Sequence, residues 1–123
     1  MNYALTETTE AAAALRGTPF ATARPEVKIL AFYTLGECLR RQGKLEEAER
    51  ELGRALEEAR RWQPHNVSTL RAEFVWGHVQ HDKAGNSAEG KAMMGLAVKR
   101  ISERFGADFW MTCLLREALA RVG

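Results

Sequence analysis

The stretch FYTLGECLRRQGKLEEAERELGRALEEA, residues 32–59, decides the fold. In its second half, apolar residues recur at steps of three and four, and this spacing predicts a helix over 45–62 with one apolar face. That face consists of Leu45, Ala48, Leu52, Ala55, Leu56, Ala59 and Trp62. Acid-first pairs at four-residue spacing, such as Glu46 with Arg50, stabilise the opposite face, which we interpret as solvent-exposed.

The same spacing extends in both directions from this stretch. Gly43 is suited to end an earlier helix that begins near Pro25 and is apolar over a wide arc from Ile29 to Leu39. Asn66 or Ser68 is suited to cap a helix that runs to about residue 82, and Ser87 a later one. Helical patterns also cover 3–16, 90–105 and 109–122. Since strand-like alternation is not convincing anywhere, the sequence predicts an all-α fold of about six antiparallel helices.

Length and charge limit the class of protein. A chain of 123 residues is one domain, 1–123, and can bury a core without disulfide or metal support. The net charge of +2 is unlike that of a strongly basic nucleic-acid binder, and acidic residues interleave with Arg40, Arg41, Arg60 and Arg61. We therefore expect no nucleic-acid partner. No stretch reaches membrane-spanning length and no leader is evident, so we expect no membrane partner and a soluble, unprocessed cytoplasmic protein.

The two cysteines fit that expectation. Cys38 and Cys113 lie far apart and form no CxxC or zinc-type spacing, as is usual for a reducing compartment. Apolar neighbours predict that both thiols are buried and inert. The excess of Arg over Lys is typical of GC-rich, bacterial genomes.

An internal repeat relates the two halves of the chain. When the sequence is shifted by 42 residues, small residues align with small residues and large apolar residues with large ones. The aligned pairs are Ala48 with Gly90, Leu52 with Met94, Ala55 with Ala97, and Leu56 with Val98. A repeat of this length indicates stacked helical hairpins.

The repeated pattern resembles the tetratricopeptide repeat family, in its long, kinesin-light-chain-like form. The residues that carry the resemblance are Phe32, Leu35-Gly36, Leu39, Gly43, Ala48, Leu52 and Ala55. Gln80 and Gly90 depart from the pattern in the second copy. The resemblance implies an α-α superhelix. Its parts would be an N-terminal helix or half-repeat over 3–24, a repeat over 25–64, a degenerate repeat over 65–106 and a capping helix over 107–123.

The resemblance also implies a non-catalytic adaptor that binds a peptide or helix of a partner protein in a concave groove. Carried over position by position, the groove residues are Tyr33, Glu37, Arg40, Arg41, Arg71, Phe74, His78 and His81. An acidic or carboxylate-ended peptide would suit the three arginines. No phosphate-binding or nucleophile motif occurs, so we expect no enzyme activity, catalytic residues or cofactor.

Three alternatives remain open. Phe109 and Trp110 could complete the core of a self-associating homodimer, or the chain could be a fragment of a larger regulator. The third and weaker alternative is a metal-binding module at His78 and His81, which lie with Asp82 on neighbouring turns but would need a further ligand from elsewhere, so no metal site is assigned. We interpret Trp62, Trp76, Trp110 and Met93-Met94 as packing between hairpins rather than as exposed interface residues.

Overall fold

The computed structural model describes residues 25–85 and 87–122, with side chains from residue 28 onward. These residues form five helices, which we number α1 (Pro25–Arg41), α2 (Leu45–Trp62), α3 (Val67–Lys83), α4 (Ala88–Phe105) and α5 (Trp110–Arg121). The described part of the chain contains no strand, which confirms the predicted all-α class for it. The helix predicted over 3–16 lies outside the described residues.

Local side-chain chemistry sets where the helices begin and end. The Asn66 side chain accepts a hydrogen bond from the backbone N–H of Ser68 at 2.8 Å, and the Ser87 hydroxyl accepts one from Gly90 N–H at 3.2 Å. Both are N-caps, as predicted, and Asn66 is the cap of the two candidates. Gly43 follows α1 with a φ of 80°, a left-handed conformation that has no Cβ penalty in glycine.

The helices pack as two hairpins followed by a fifth helix. α1 packs mainly on α2, and α3 packs mainly on α4; α3 also contacts α1 and α2, and α5 contacts α4. The first core joins α1, α2 and α3 through Ile29, Tyr33, Leu35, Leu39, Ala48, Leu52, Leu56, Ala59, Ala72, Val75 and Val79. The second joins α3, α4 and α5 through Leu70, Phe74, Met94, Ala97, Val98, Ile101, Met111 and Leu115. α3 therefore contributes a different face to each core.

Glycines allow the helices of each hairpin to approach closely. A Cβ added to Gly36 would overlap the Leu52 side chain, with Cδ2 at 2.8 Å. In the second hairpin, a Cβ on Gly90 would lie 2.5 Å from the backbone nitrogen of His81 and 2.7 Å from the carbonyl oxygen of Gly77. Backbone contacts on both sides explain why Gly90 stands where the repeat pattern has alanine.

One hydrogen bond recurs at the start of α3 and of α5. The Thr69 hydroxyl donates to the carbonyl oxygen of Gln63 at 2.7 Å, and 43 residues later the Thr112 hydroxyl donates to the carbonyl oxygen of Gly106 at 2.9 Å. Both threonines are completely buried. This 43-residue spacing is one residue longer than the sequence repeat. Because the same hydrogen bond precedes both helices, α3 and α5 begin with the same local structure.

Several expected core residues are exposed instead. Trp62 and Trp110 are 60% and 62% exposed, because they are the last residue of α2 and the first of α5, where no described helix covers them. Leu30 is also exposed. Trp76, by contrast, packs against the first core, and Met94 is fully buried.

The two cysteines differ in the same way. Cys38 is buried as predicted, but the prediction for Cys113 is wrong, because this residue is exposed. Its neighbours Met111, Thr112 and Leu115 face the core, and Cys113 lies on another side of α5. Among the described residues, no helix combines the length and apolar character needed to cross a membrane.

Candidate functional site

A pocket of about 410 Å³ lies where the C-terminal turns of α1, α3 and α5 meet. Its lining is rich in guanidinium and imidazole groups, and consists of Arg40, Arg41, His78, His81, Asp82, Ala118, Arg121 and Val122. The volume falls in the lower part of the range typical of ligand pockets, roughly 300–1,000 Å³. Such a space holds a chain end or a few side chains rather than a whole helix.

Arg40 is the most engaged side chain of the pocket. Its Nε donates to Glu37 Oε1 at 2.8 Å, and its Nη2 lies 2.6 Å from the same oxygen. Its Nη1 donates to Asp82 Oδ2 at 3.2 Å, which connects α1 to α3. Because the guanidinium is a planar fork with fixed donors, these two carboxylates hold it in one orientation.

His78 lies beside this bridge. Its Nε2 is 3.4 Å from Arg40 Nη1 and 3.9 Å from Asp82 Oδ1, and the edge of its ring meets Phe74. Burial lowers the pKa of His78 from its ordinary value of 6.5, and the positive charge of Arg40 lowers it further. Asp82 acts in the opposite direction. At neutral pH the imidazole is therefore uncharged.

His81 is the most enclosed polar residue of the pocket. It is 6% exposed, and its Nδ1 lies 3.4 Å from Asp82 Oδ1. Its Nε2 is buried without a hydrogen-bond partner among the described residues. An unpaired buried polar atom is unusual, and it occurs here at the wall of a pocket.

Arg41 and Arg121 supply the mobile charge. Their side chains are 63% and 79% exposed, and each has one long ion pair, Arg41 Nε with Glu37 Oε1 at 3.5 Å and Arg121 Nη2 with Glu117 Oε2 at 3.8 Å. Exposed pairs of this kind are weak, so both guanidinium groups can turn towards a ligand. Three guanidinium groups and one carboxylate in the lining have a combined formal charge of +2.

Part of this positive charge also stabilises the helices. The C-terminal end of a helix carries partial negative charge, and Arg40, Arg41 and Arg121 stand in the last turns of α1 and α5. Arg40 is half-buried and held by Glu37 and Asp82. The exposed Arg41 and Arg121 extend beyond it into the pocket.

The remaining groove residues predicted from sequence lie outside this pocket. Tyr33 and Phe74 are buried in the two cores, and the guanidinium carbon of Arg71 lies 5.1 Å from the centre of the Tyr33 ring, a cation–π contact. Glu37 holds Arg40 and contacts Arg41 but does not line the pocket. The structure thus brings together Arg40, Arg41, His78 and His81 of the eight predicted residues.

Sequence reasoning missed Arg121. The 42-residue sequence repeat aligns Arg121 with Val79, whereas the hydrogen bonds of Thr69 and Thr112, which only the structure shows, set a 43-residue spacing that aligns Arg121 with His78. The prediction treated the last helix only as a cap, and so did not carry the groove positions onto it. Ala118 and Val122 line the same pocket, and only their spacing along α5 could have indicated this from the sequence.

Other sites are weaker. In the described part of the chain, no group of three or more His, Cys, Asp or Glu side chains has a metal-binding arrangement. A second pocket, of about 480 Å³, is lined by His65, Leu70, Arg100, Glu103 and Arg104. Arg100 Nη1 is already bound to both carboxylate oxygens of Glu73, at 3.1 and 3.2 Å, so this pocket has less free charge.

Comparisons with protein-family models, with curated proteins and with solved structures found no significant match to this chain.

Proposed function

We propose that the protein is a cytoplasmic, non-catalytic protein-binding module, in which an acidic segment of a partner lies across α1, α3 and α5 and inserts a carboxylate into the pocket at their C-terminal ends. The single observation that carries this proposal is the convergence of Arg41 and Arg121 from two different helices on one pocket. Planar guanidinium groups bind carboxylates through paired hydrogen bonds, and neither group has a strong internal partner.

We further propose that the helices belong to a superhelix of the tetratricopeptide type, in which 25–64 and 65–106 are successive repeats and 107–123 is the start or cap of a third. Three features support this. α3 contributes to both cores, Gly36 and Gly77 each lie against the following helix, and the Thr69 hydrogen bond recurs at Thr112. In such a stack the first helices of the hairpins line a common surface.

A peptide-display selection tests the binding function. We expect peptides selected on the wild-type protein to be enriched in Asp and Glu. The double variant R41E/R121E should weaken the selected peptides by about tenfold or more, because each reversal replaces attraction by repulsion. A matched control, R54E/R116E, makes the same charge change at two exposed arginines outside the pocket. Equal loss in both double variants, or a selection without acidic enrichment, would contradict the proposal.

A second candidate is self-association, favoured by an exposed aromatic cluster at the start of α5. Phe105 stacks on Phe109 with ring centres 5.2 Å apart, and Phe109 contacts Trp110 at 5.8 Å. Trp110 and Leu114, one turn apart, are both exposed. Sedimentation equilibrium distinguishes this function: a dimer that W110E dissociates would support it, and a monomer at high protein concentration would exclude it.

A further inference from the structure

His78 lies beside the ion pair that Arg40 of α1 forms with Asp82 of α3. Arg40 Nη1 donates to Asp82 Oδ2, and the His78 Nε2 atom lies within 4 Å of both partners. A guanidinium has only donors, so its contact with Nε2 requires a lone pair on that nitrogen. The uncharged imidazole with its proton on Nδ1 supplies this lone pair, and a second proton, on Nε2, would remove it.

We propose that a carboxylate-bearing ligand enters this pocket together with a proton from solvent, which His78 takes up at Nε2. This inference rests on the proposed function and adds its regulation. Ligand binding would strengthen as the pH falls, and ligand and proton would each favour the binding of the other.

The geometry gives the physical reason. A proton on Nε2 replaces an acceptor by a donor, so the contact with Arg40 Nη1 becomes repulsive. The nearest carboxylate oxygen to the protonated atom is Asp82 Oδ1, at 3.9 Å. Asp82 can keep Oδ2 on Arg40 Nη1 while its other oxygen, Oδ1, turns to the imidazolium. Arg40 Nη1 then loses its contact with His78 Nε2, and the N–H that pointed there is left for a new acceptor. A ligand carboxylate supplies one.

The charge added by protonation of His78 also favours binding of a carboxylate ligand. Protonation of His78 adds a positive charge beside three guanidinium groups and one carboxylate, which disfavours the empty pocket and favours one that holds a carboxylate ligand. The charged and titratable groups that surround His78 are Glu37 and Arg40 of α1 and His81 and Asp82 of α3, together with Arg41 of α1 and Arg121 of α5, which line the same pocket. Of these, His81 and Arg40 oppose protonation, and Glu37 and Asp82 favour it.

The test follows the His78 imidazole by NMR, with tetraglutamate as the probe ligand. Without ligand, His78 should titrate below 6.5; saturating tetraglutamate should raise its pKa. The affinity should be higher at a pH of about 5.5 than at about 7.5, by at most about tenfold for each unit of that rise. Glutamate side chains remain ionised over this range. His65, which is exposed and lines the second pocket instead of this one, is the internal control.

Variants assign the effect to one residue. H78Q should bind tetraglutamate without a gain on acidification, whereas H65Q should keep the wild-type pH dependence; helical circular dichroism checks the fold of both. Tetraglutamate with an amidated C-terminus lacks the terminal carboxylate but keeps its side-chain carboxylates. Comparing its affinity with that of tetraglutamate therefore shows which kind of carboxylate binds in the pocket. Equal wild-type affinity at both pH values, a gain that persists in H78Q, or a gain abolished by H81Q alone would overturn the linkage and leave the binding function standing. Absence of tetraglutamate binding at both pH values would also overturn the linkage. The binding function is tested separately, by the peptide-display selection.

Discussion

At the scale of single residues, burial separates side chains that the sequence treated alike. Cys38 and Cys113 both have apolar neighbours in sequence, yet the first is buried and the second is exposed. Neighbours along the chain show which residues are apolar, but the side of the helix that faces the core depends on α4. The same limit applies to Trp62 and Trp110, whose positions at helix ends leave them uncovered.

The thiols therefore should react at very different rates with an aromatic disulfide reagent. Cys113 should react at once, whereas Cys38 should react only as the fold opens, because burial excludes the reagent and raises the pKa of its thiol. Absorbance at a mildly alkaline pH measures both phases. C113S should remove the fast phase only; two fast thiols in the wild-type protein would contradict the burial of Cys38.

The pocket illustrates what residue-level reasoning could find. Arg40, Arg41, His78 and His81 were predicted as groove residues from the resemblance, and they meet in one pocket. The division of roles among them was not predictable, because it depends on Asp82 crossing to Arg40 at 3.2 Å. Only the folded structure shows that Arg40 is engaged and Arg41 is free to turn.

At the scale of the helices, the periodic pattern predicted the bounds well. The helix expected over 45–62 is α2, and the capping roles of Asn66 and Ser87 are as predicted. Each of these signals is local, because capping and amphipathicity act within one or two turns. The α3 helix has weaker periodicity for a physical reason: it is buried on two faces by two different cores.

Glycine positions give an element-scale prediction. G90A should destabilise the fold by about 1–3 kcal/mol or more, because its Cβ would meet the backbone of α3 at His81 and Gly77. G53A in α2 is the matched change without the clash: its Cβ would lie 3.6 Å from the Trp76 ring, an ordinary contact. It should stabilise by about 0.5–1 kcal/mol through helix propensity.

Urea denaturation followed by circular dichroism measures both variants. Opposite signs for G90A and G53A would identify close helix approach as the requirement at residue 90. If both variants were equally stabilised, the tight packing of α3 against α4 would be contradicted.

At the scale of the whole molecule, the described helices form two cores that share α3. The first helices of the two hairpins and α5 bring their C-terminal turns to one pocket, so residues far apart in sequence become neighbours. A net charge of +2 for the chain conceals this local concentration. The positive lining, rather than the overall charge, is what would steer an acidic partner to this surface.

The most direct test of the binding account is amide chemical-shift mapping of the full chain during titration with tetraglutamate at low ionic strength. We expect the largest shifts to cluster at Arg41, His78 and Arg121, on three separate helices, and R41E/R121E to abolish them. Largest shifts on the exposed arginine face of α2, at Arg50, Arg54 and Arg61, would contradict it, because charge alone and not the pocket would then govern binding.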